Sequence, residues 1–73
     1  MENKVTKDAM EAIKVGGREK VFRATSVADY QSQQRTAYYV RQKHPREDGG
    51  KYIIKCSGIG MTITIKVVRE DEL

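Results

Sequence analysis

The chain has one cysteine, one histidine, one proline, one phenylalanine and no tryptophan in 73 residues. A lone cysteine excludes an internal disulfide, and Cys56 with His44 cannot supply the four Cys/His ligands of a structural zinc site. No metal or other cofactor is therefore expected. No stretch approaches the ~20 apolar residues that span a bilayer, and the opening MENKVTKDAM lacks the apolar run of a secretory signal. The expectation is a cytoplasmic protein without a membrane partner. No paired buried carboxylates are legible, and a second histidine and a phosphate-loop spacing are missing, so the chain is not expected to be an enzyme. The segment GGREK has glycines near a lysine but no Ser/Thr at the required spacing, and SGIG reads as a turn. Tyr38, Tyr39, Arg35, Arg41 and His44 invite comparison with tyrosine recombinases, but those sites need a larger scaffold, and here the cations spread around one helix.

A shortage of one charge sign is more informative. From Tyr30 to Arg46, YQSQQRTAYYVRQKHPR contains three tyrosines, four cations (Arg35, Arg41, Lys43, Arg46) and no Asp or Glu, while Glu70, Asp71 and Glu72 crowd the end of the chain. The formal net charge is +4. A one-sided basic surface attracts polyanions; basic residues also simply keep a small protein soluble.

At this length the chain makes one small domain that buries only about 60% of its unfolded surface. The ordered core is expected over residues 6–69 of the 73, with mobile ends. The segment VTKDAMEAIKVGG predicts a short helix from Lys7 to Lys14, with Thr6 as N-cap, Met10 and Ile13 on its apolar edge, and Gly16 as C-cap. EKVFRAT predicts a strand over Lys20–Ala24. Ser26, with Asp29 three residues on, opens the main helix, Val27 to Lys43, which must end before Pro45. At ~100° per residue, Val27, Tyr30, Ala37, Tyr38 and Val40 form its packed side, with Gln33, Gln34, Arg41 and His44 among them. Gln31, Ser32, Arg35, Thr36, Tyr39, Gln42 and Lys43 form the solvent side, and His44 is expected to be an exposed helix-end residue.

KYIIKC and MTITIKVVR alternate as two strands joined across SGIG, a β-hairpin. Tyr52, Ile54 and Cys56, with Met61, Ile63, Ile65 and Val67, are expected to face the helix. Lys51, Ile53, Lys55, Thr62, Thr64, Lys66 and Val68 take the other face. The fold class is thus α+β, in the order α-β-α-β-β: a three-stranded antiparallel sheet packed on one main helix, with a short N-terminal helix.

The runs IKVGG, VF, SVADYQSQQRTAYYVRQKH, GKYIIK and GMTITIKVVR, over residues 12–69, resemble small α+β proteins encoded by phages and mobile elements. That resemblance implies a DNA-associated accessory role. Two surfaces compete for it. The helix offers Arg35, Tyr39, Gln42 and Lys43, with Arg46 just beyond, in which cations meet phosphates and a tyrosine stacks. The sheet offers Lys51, Lys55, Lys66 and the threonines, an arrangement analogous to the DNA-reading sheets of integrase arm-binding domains. The helix is favoured because its acid-free window is longer. Nucleic acid, DNA before RNA, is the expected partner. The alternative is a protein-interaction or homo-oligomeric module, with Tyr39, Ile53 and Val68 as exposed anchors and the edge of Met61–Arg69 pairing with a second copy.

Overall fold

A computed structural model describes residues 4–72, and the elements follow the expected order: α1 (Lys7–Glu11), β1 (Lys20–Arg23), α2 (Val27–Lys43), β2 (Gly50–Ser57), β3 (Thr62–Arg69) and a 3-10 turn (Glu70–Glu72). The three strands form one antiparallel sheet in the order β1-β3-β2. The expectation of mobile ends falls partly on residues 1–3 and 73, which lie outside the described residues. Among the described residues the core gathers Val5, Met10, Ile13, Phe22, Ala37, Val40, Tyr52, Ile63, Ile65 and Val67.

The ends of α2 are set by local chemistry. Ser26 adopts an extended backbone and its Oγ accepts the Asp29 N–H at 3.1 Å. Asp29 reaches back one residue beyond the N-cap, and its Oδ2 accepts the Thr25 N–H at 3.0 Å. The same carboxylate oxygen accepts the Gln33 amide at 2.9 Å, and Gln33 Oε1 in turn accepts the Val5 N–H at 2.9 Å. Gln33 is 4% exposed and is the one buried polar residue among those described. Its two bonds satisfy an otherwise costly buried amide and tether the N-terminal segment to the helix.

The buried line of α2 runs through Gln33, Ala37 and Val40, with Tyr30 half-buried beside it. This corrects the expected packing at two positions. Val27 is 64% and Tyr38 39% exposed. Both stand about 110–130° round the helix from that line, too far to reach a sheet covered by a single helix. Arg41 lies over the Tyr38 ring instead, 4.9 Å from its centroid.

The first helix ends at Glu11, three residues early. The Ile13 N–H tightens onto Met10 O at 3.2 Å, and the chain then turns so that Val15 bridges Val67 and the Gly16 N–H donates to Val67 O at 2.8 Å. Docking onto the sheet thus overrides helical propensity. Gly16, expected as the C-cap, takes φ +74° at this docking point, a backbone region favouring glycine.

In the hairpin, β2 and β3 pair from Gly50↔Arg69 to Ser57↔Thr62. Met61, expected to start the second strand, belongs to the turn with φ +50° and is half-buried. Ile54 and Cys56 are also half-buried rather than enclosed, since no element covers the outer side of β2. At the other end of β2, Gly50 is buried so tightly that a Cβ would stand 2.6 Å from a Val67 methyl and 2.8 Å from a Val15 methyl.

Ile63 is fully buried on the central strand, so Ile63→Ala should cost about 2–4 kcal/mol in urea unfolding; a loss below about 0.5 kcal/mol would contradict this packing. Acid should unfold the domain through two carboxyls. Asp29 is held below the usual carboxylate range chiefly by the Thr25 N–H, and Asp48 chiefly by its hydrogen bonds from Arg46. Because the folded pKa lies below the unfolded one, this stability is complete above about pH 4 and is lost as pH falls through the folded values. Thermal midpoints from pH 6 to pH 2 should fall less for Asp29→Asn than for the parent chain.

Candidate nucleic-acid interface

The exposed side of α2 carries Gln31, Ser32, Arg35, Tyr39, Gln42 and Lys43, all solvent-accessible, with Thr36 half-buried and its hydroxyl bonded back to Ser32 O at 3.0 Å. Arg35, Tyr39 and Lys43 are spaced at i, i+4 and i+8, so they form one stripe along the helix. Tyr39 is 55% exposed, and the His44 ring meets it edge-on at 5.8 Å between centroids. His44 closes the helix through its N–H to Val40 O at 2.8 Å and is exposed, as expected.

The acids explain why this stripe stays positive. The ion pairs among the described residues are Lys4–Asp29, Lys7–Glu11, Arg46–Asp48 and Arg69–Asp71. None uses Arg35, Arg41 or Lys43. Asp29, the only acid in α2, is turned toward its N-terminus by the capping bonds described above.

The structure divides the residues that the sequence offered as one set. Arg35, Tyr39, Gln42 and Lys43 share the outer side of α2. Lys55 and Lys66 lie on the far face of the sheet with Lys51, Ile53, Thr62, Thr64 and Val68, across the full thickness of the domain from that stripe, as the alternation of the buried residues requires. Val21 and Arg23 of β1 extend this outer face, which no helix covers.

Arg46 belongs to neither surface. Its side chain is only 11% exposed and makes a two-pronged pair with Asp48, at 3.1 Å from Nε to Oδ1 and 2.7 Å from Nη2 to Oδ2. Nη1 lies 3.3 Å from Met10 O and 3.4 Å from Glu11 O, capping the carbonyl end of α1. The guanidinium also covers the Tyr52 ring, 5.5 Å from its centroid. Asp48 Oδ1 accepts the Gly50 N–H at 3.1 Å, so this pair fixes the entry into β2. The hydrogen bonds it donates to Asp48 push the Arg46 pKa up, keeping it charged. Arg46 thus locks α1, the 44–49 loop and β2 together. The sequence hint was Arg-x-Asp before a glycine pair, a spacing that a turn can close.

Tyr52, next to this lock, is buried with no hydrogen-bond partner for its hydroxyl; Arg46 is close, but the geometry makes no bond. An open cleft of about 610 Å³ lies over it, between Lys7 and Glu11 of α1 and Lys43, His44, Glu47 and Asp48. Both charge signs line it. Among the described residues no cluster of His, Cys, Asp or Glu could hold a metal ion, and no helix is long and apolar enough to cross a membrane. Cys56 stands beside Tyr30, whose hydroxyl pKa is pushed up first by burial and then by the thiol.

Compared with protein-family models, curated proteins and solved structures, the chain matches none.

Two substitutions test the assignment of Arg46. Arg46→Ala should destabilise the domain by about 2 kcal/mol, since it strips three elements of a charged donor. Tyr52→Phe removes only an unpartnered hydroxyl and should be neutral or up to about 1 kcal/mol stabilising. Equal losses for the two variants in urea unfolding would contradict this reading.

Proposed function

We propose that this chain is a nucleic-acid-binding accessory protein that engages DNA through the exposed side of α2. What carries the proposal is one observation: Arg35, Tyr39 and Lys43 form an exposed stripe on a 17-residue helix, and no acid among the described residues pairs with it. Arg35 and Lys43 are the phosphate contacts, which supply sequence-independent affinity. Gln31 and Gln42 are amides able to read an adenine edge, and Tyr39 supplies a stacking or phosphate-bonding group.

Duplex DNA is favoured over duplex RNA by geometry. The major groove of B-DNA, about 12 Å wide, admits an α-helix, whereas that of A-form RNA is too narrow. At 1.5 Å per residue α2 is about 25 Å long, enough to lie across such a groove. The basic outer face of the sheet, Lys51, Lys55 and Lys66, contributes attraction at a distance. This reading agrees with the DNA-associated role implied by the resemblance to phage and mobile-element proteins, and it needs no catalytic group.

The test is titration of labelled duplex DNA, single-stranded DNA and RNA at two salt concentrations. Arg35→Glu with Lys43→Glu should abolish binding and leave the fold intact. Lys55→Glu with Lys66→Glu should only weaken it. For two neutralised phosphates the logarithm of affinity should fall with that of salt at a slope near −2. Loss of binding in the sheet variant alone would make the sheet the reader, and no binding by the parent chain at low salt would sink the proposal.

A further inference from the structure

The strand order contradicts the expectation that Met61–Arg69 pairs with a second copy. β3 is the central strand, bonded to β2 along its whole length on one side and to β1 and Val15 on the other. The long free edge belongs to β2, which has eight residues against four in β1.

Which backbone groups of β2 are free follows from one bond. The Glu70 N–H donates to Gly49 O at 2.9 Å, so the 49/70 pair is of the hydrogen-bonded type. Antiparallel pairs alternate. Lys51, Ile53, Lys55 and Ser57 therefore direct their N–H and C=O groups to β3, while Tyr52, Ile54 and Cys56 direct theirs outward.

Beside this edge lies the flank of α2 that sequence periodicity assigns to the core. Tyr30 stands against Cys56. Val27 and Tyr38, on the same flank, are 64% and 39% exposed, and Ile53, Ile54 and Cys56 are half-buried. An open ladder and a row of partly covered apolar groups thus run side by side.

We propose that two copies join edge to edge through β2, making a continuous six-stranded sheet with the two α2 flanks meeting on one side. A second copy is chosen over another partner because the strand is complementary to itself. Antiparallel pairing about a two-fold axis has two registers that engage most of the strand. With Ile53 facing Ile53 of the second copy, Lys51 would stand opposite Lys55, and like charges directly opposed are destabilising. With Ile54 facing Ile54, Lys51 meets Ser57, Ile53 meets Lys55 and Tyr52 meets Cys56. Each register pairs seven of the eight strand residues, and only the second keeps lysine from facing lysine. The two lysines thus guard the edge against the first register while permitting the second. The assembly is isologous and closes at two copies.

Sedimentation of the parent chain without nucleic acid should give a species of twice the 8.3 kDa chain mass, with a monomer appearing on dilution. Ile54→Pro deletes an outward N–H without touching the β2–β3 ladder, so it should yield a monomer with unchanged β-sheet circular dichroism. Should that variant unfold, Ile53→Lys is the second probe: it opposes Lys55 twice per dimer and should weaken association about tenfold. In a Cys56→Ser background, Ile53→Cys with Lys55→Cys should form an intermolecular disulfide on mild oxidation, while Val21→Cys with Arg23→Cys on the β1 edge should not. A monomer at all concentrations, a dimer indifferent to Ile53→Lys, or cross-linking at the β1 edge instead would overturn the proposal.

Discussion

The placement of β3 at the centre of the sheet governs the rest of the molecule. Ile63, Ile65 and Val67 are at most 1% exposed because strands lie on both sides of them and α2 lies over them. A chain of this size has one helix long enough to cover one face of three strands. The opposite face and the outer edge of β2 are therefore left open, and what the sequence puts there is what the protein can present. On the covered side the helix must turn its own polar half outward. Both candidate binding surfaces and the open edge of β2 are consequences of covering three strands once.

Charge is sorted by the same economy. Each acid that forms an ion pair does so with Lys4, Lys7, Arg46 or Arg69, at helix ends, loops and the C-terminal turn. These are structural locks: Asp29 holds the start of α2 and, through Gln33, the N-terminal segment; Asp48 holds Arg46 and the entry to β2. Exposed ion pairs contribute little stability by themselves. Their larger effect here is that Asp29, Glu11, Asp48 and Asp71 pair with cations other than Arg35, Arg41 and Lys43, which keep their charge uncompensated by these acids. A polyanion approaching the outward side of the helix meets Arg35 and Lys43 and no counter-charge in the 30–46 segment.

Much of the fold was legible because local signals were strong where they mattered. Ser26 and Asp29 at one end and Pro45 at the other bound α2 to the residues expected, and strict alternation in KYIIKC and TITIKVVR revealed the hairpin. What was not legible depended on contacts distant in sequence. The shortening of α1 comes from Val15 docking on Val67, more than 50 residues on. Helical periodicity placed Val27 and Tyr38 inward, but it cannot tell how wide a strip the sheet will cover. Gln33 read as a polar residue within the packed face, and only the approach of the Val5 N–H explains its burial. Arg46 looked like one more cation of the basic window, while its partners Met10 and Glu11 lie 36 and 35 residues away. Of the proposed site, the helix residues were legible from periodicity, but that Lys55 and Lys66 occupy the opposite side of the domain required the sheet to be placed.

The central claim is that the outward side of α2 is where nucleic acid lies. Backbone amide shifts in a nitrogen–proton correlation spectrum, followed as unlabelled duplex DNA is added at low salt, test it most directly. The account predicts that the perturbed amides cluster from Gln31 to His44, with those of Lys51 to Lys55 and Thr62 to Val68 nearly unmoved. Perturbations centred on the two strands, or none anywhere, would contradict it.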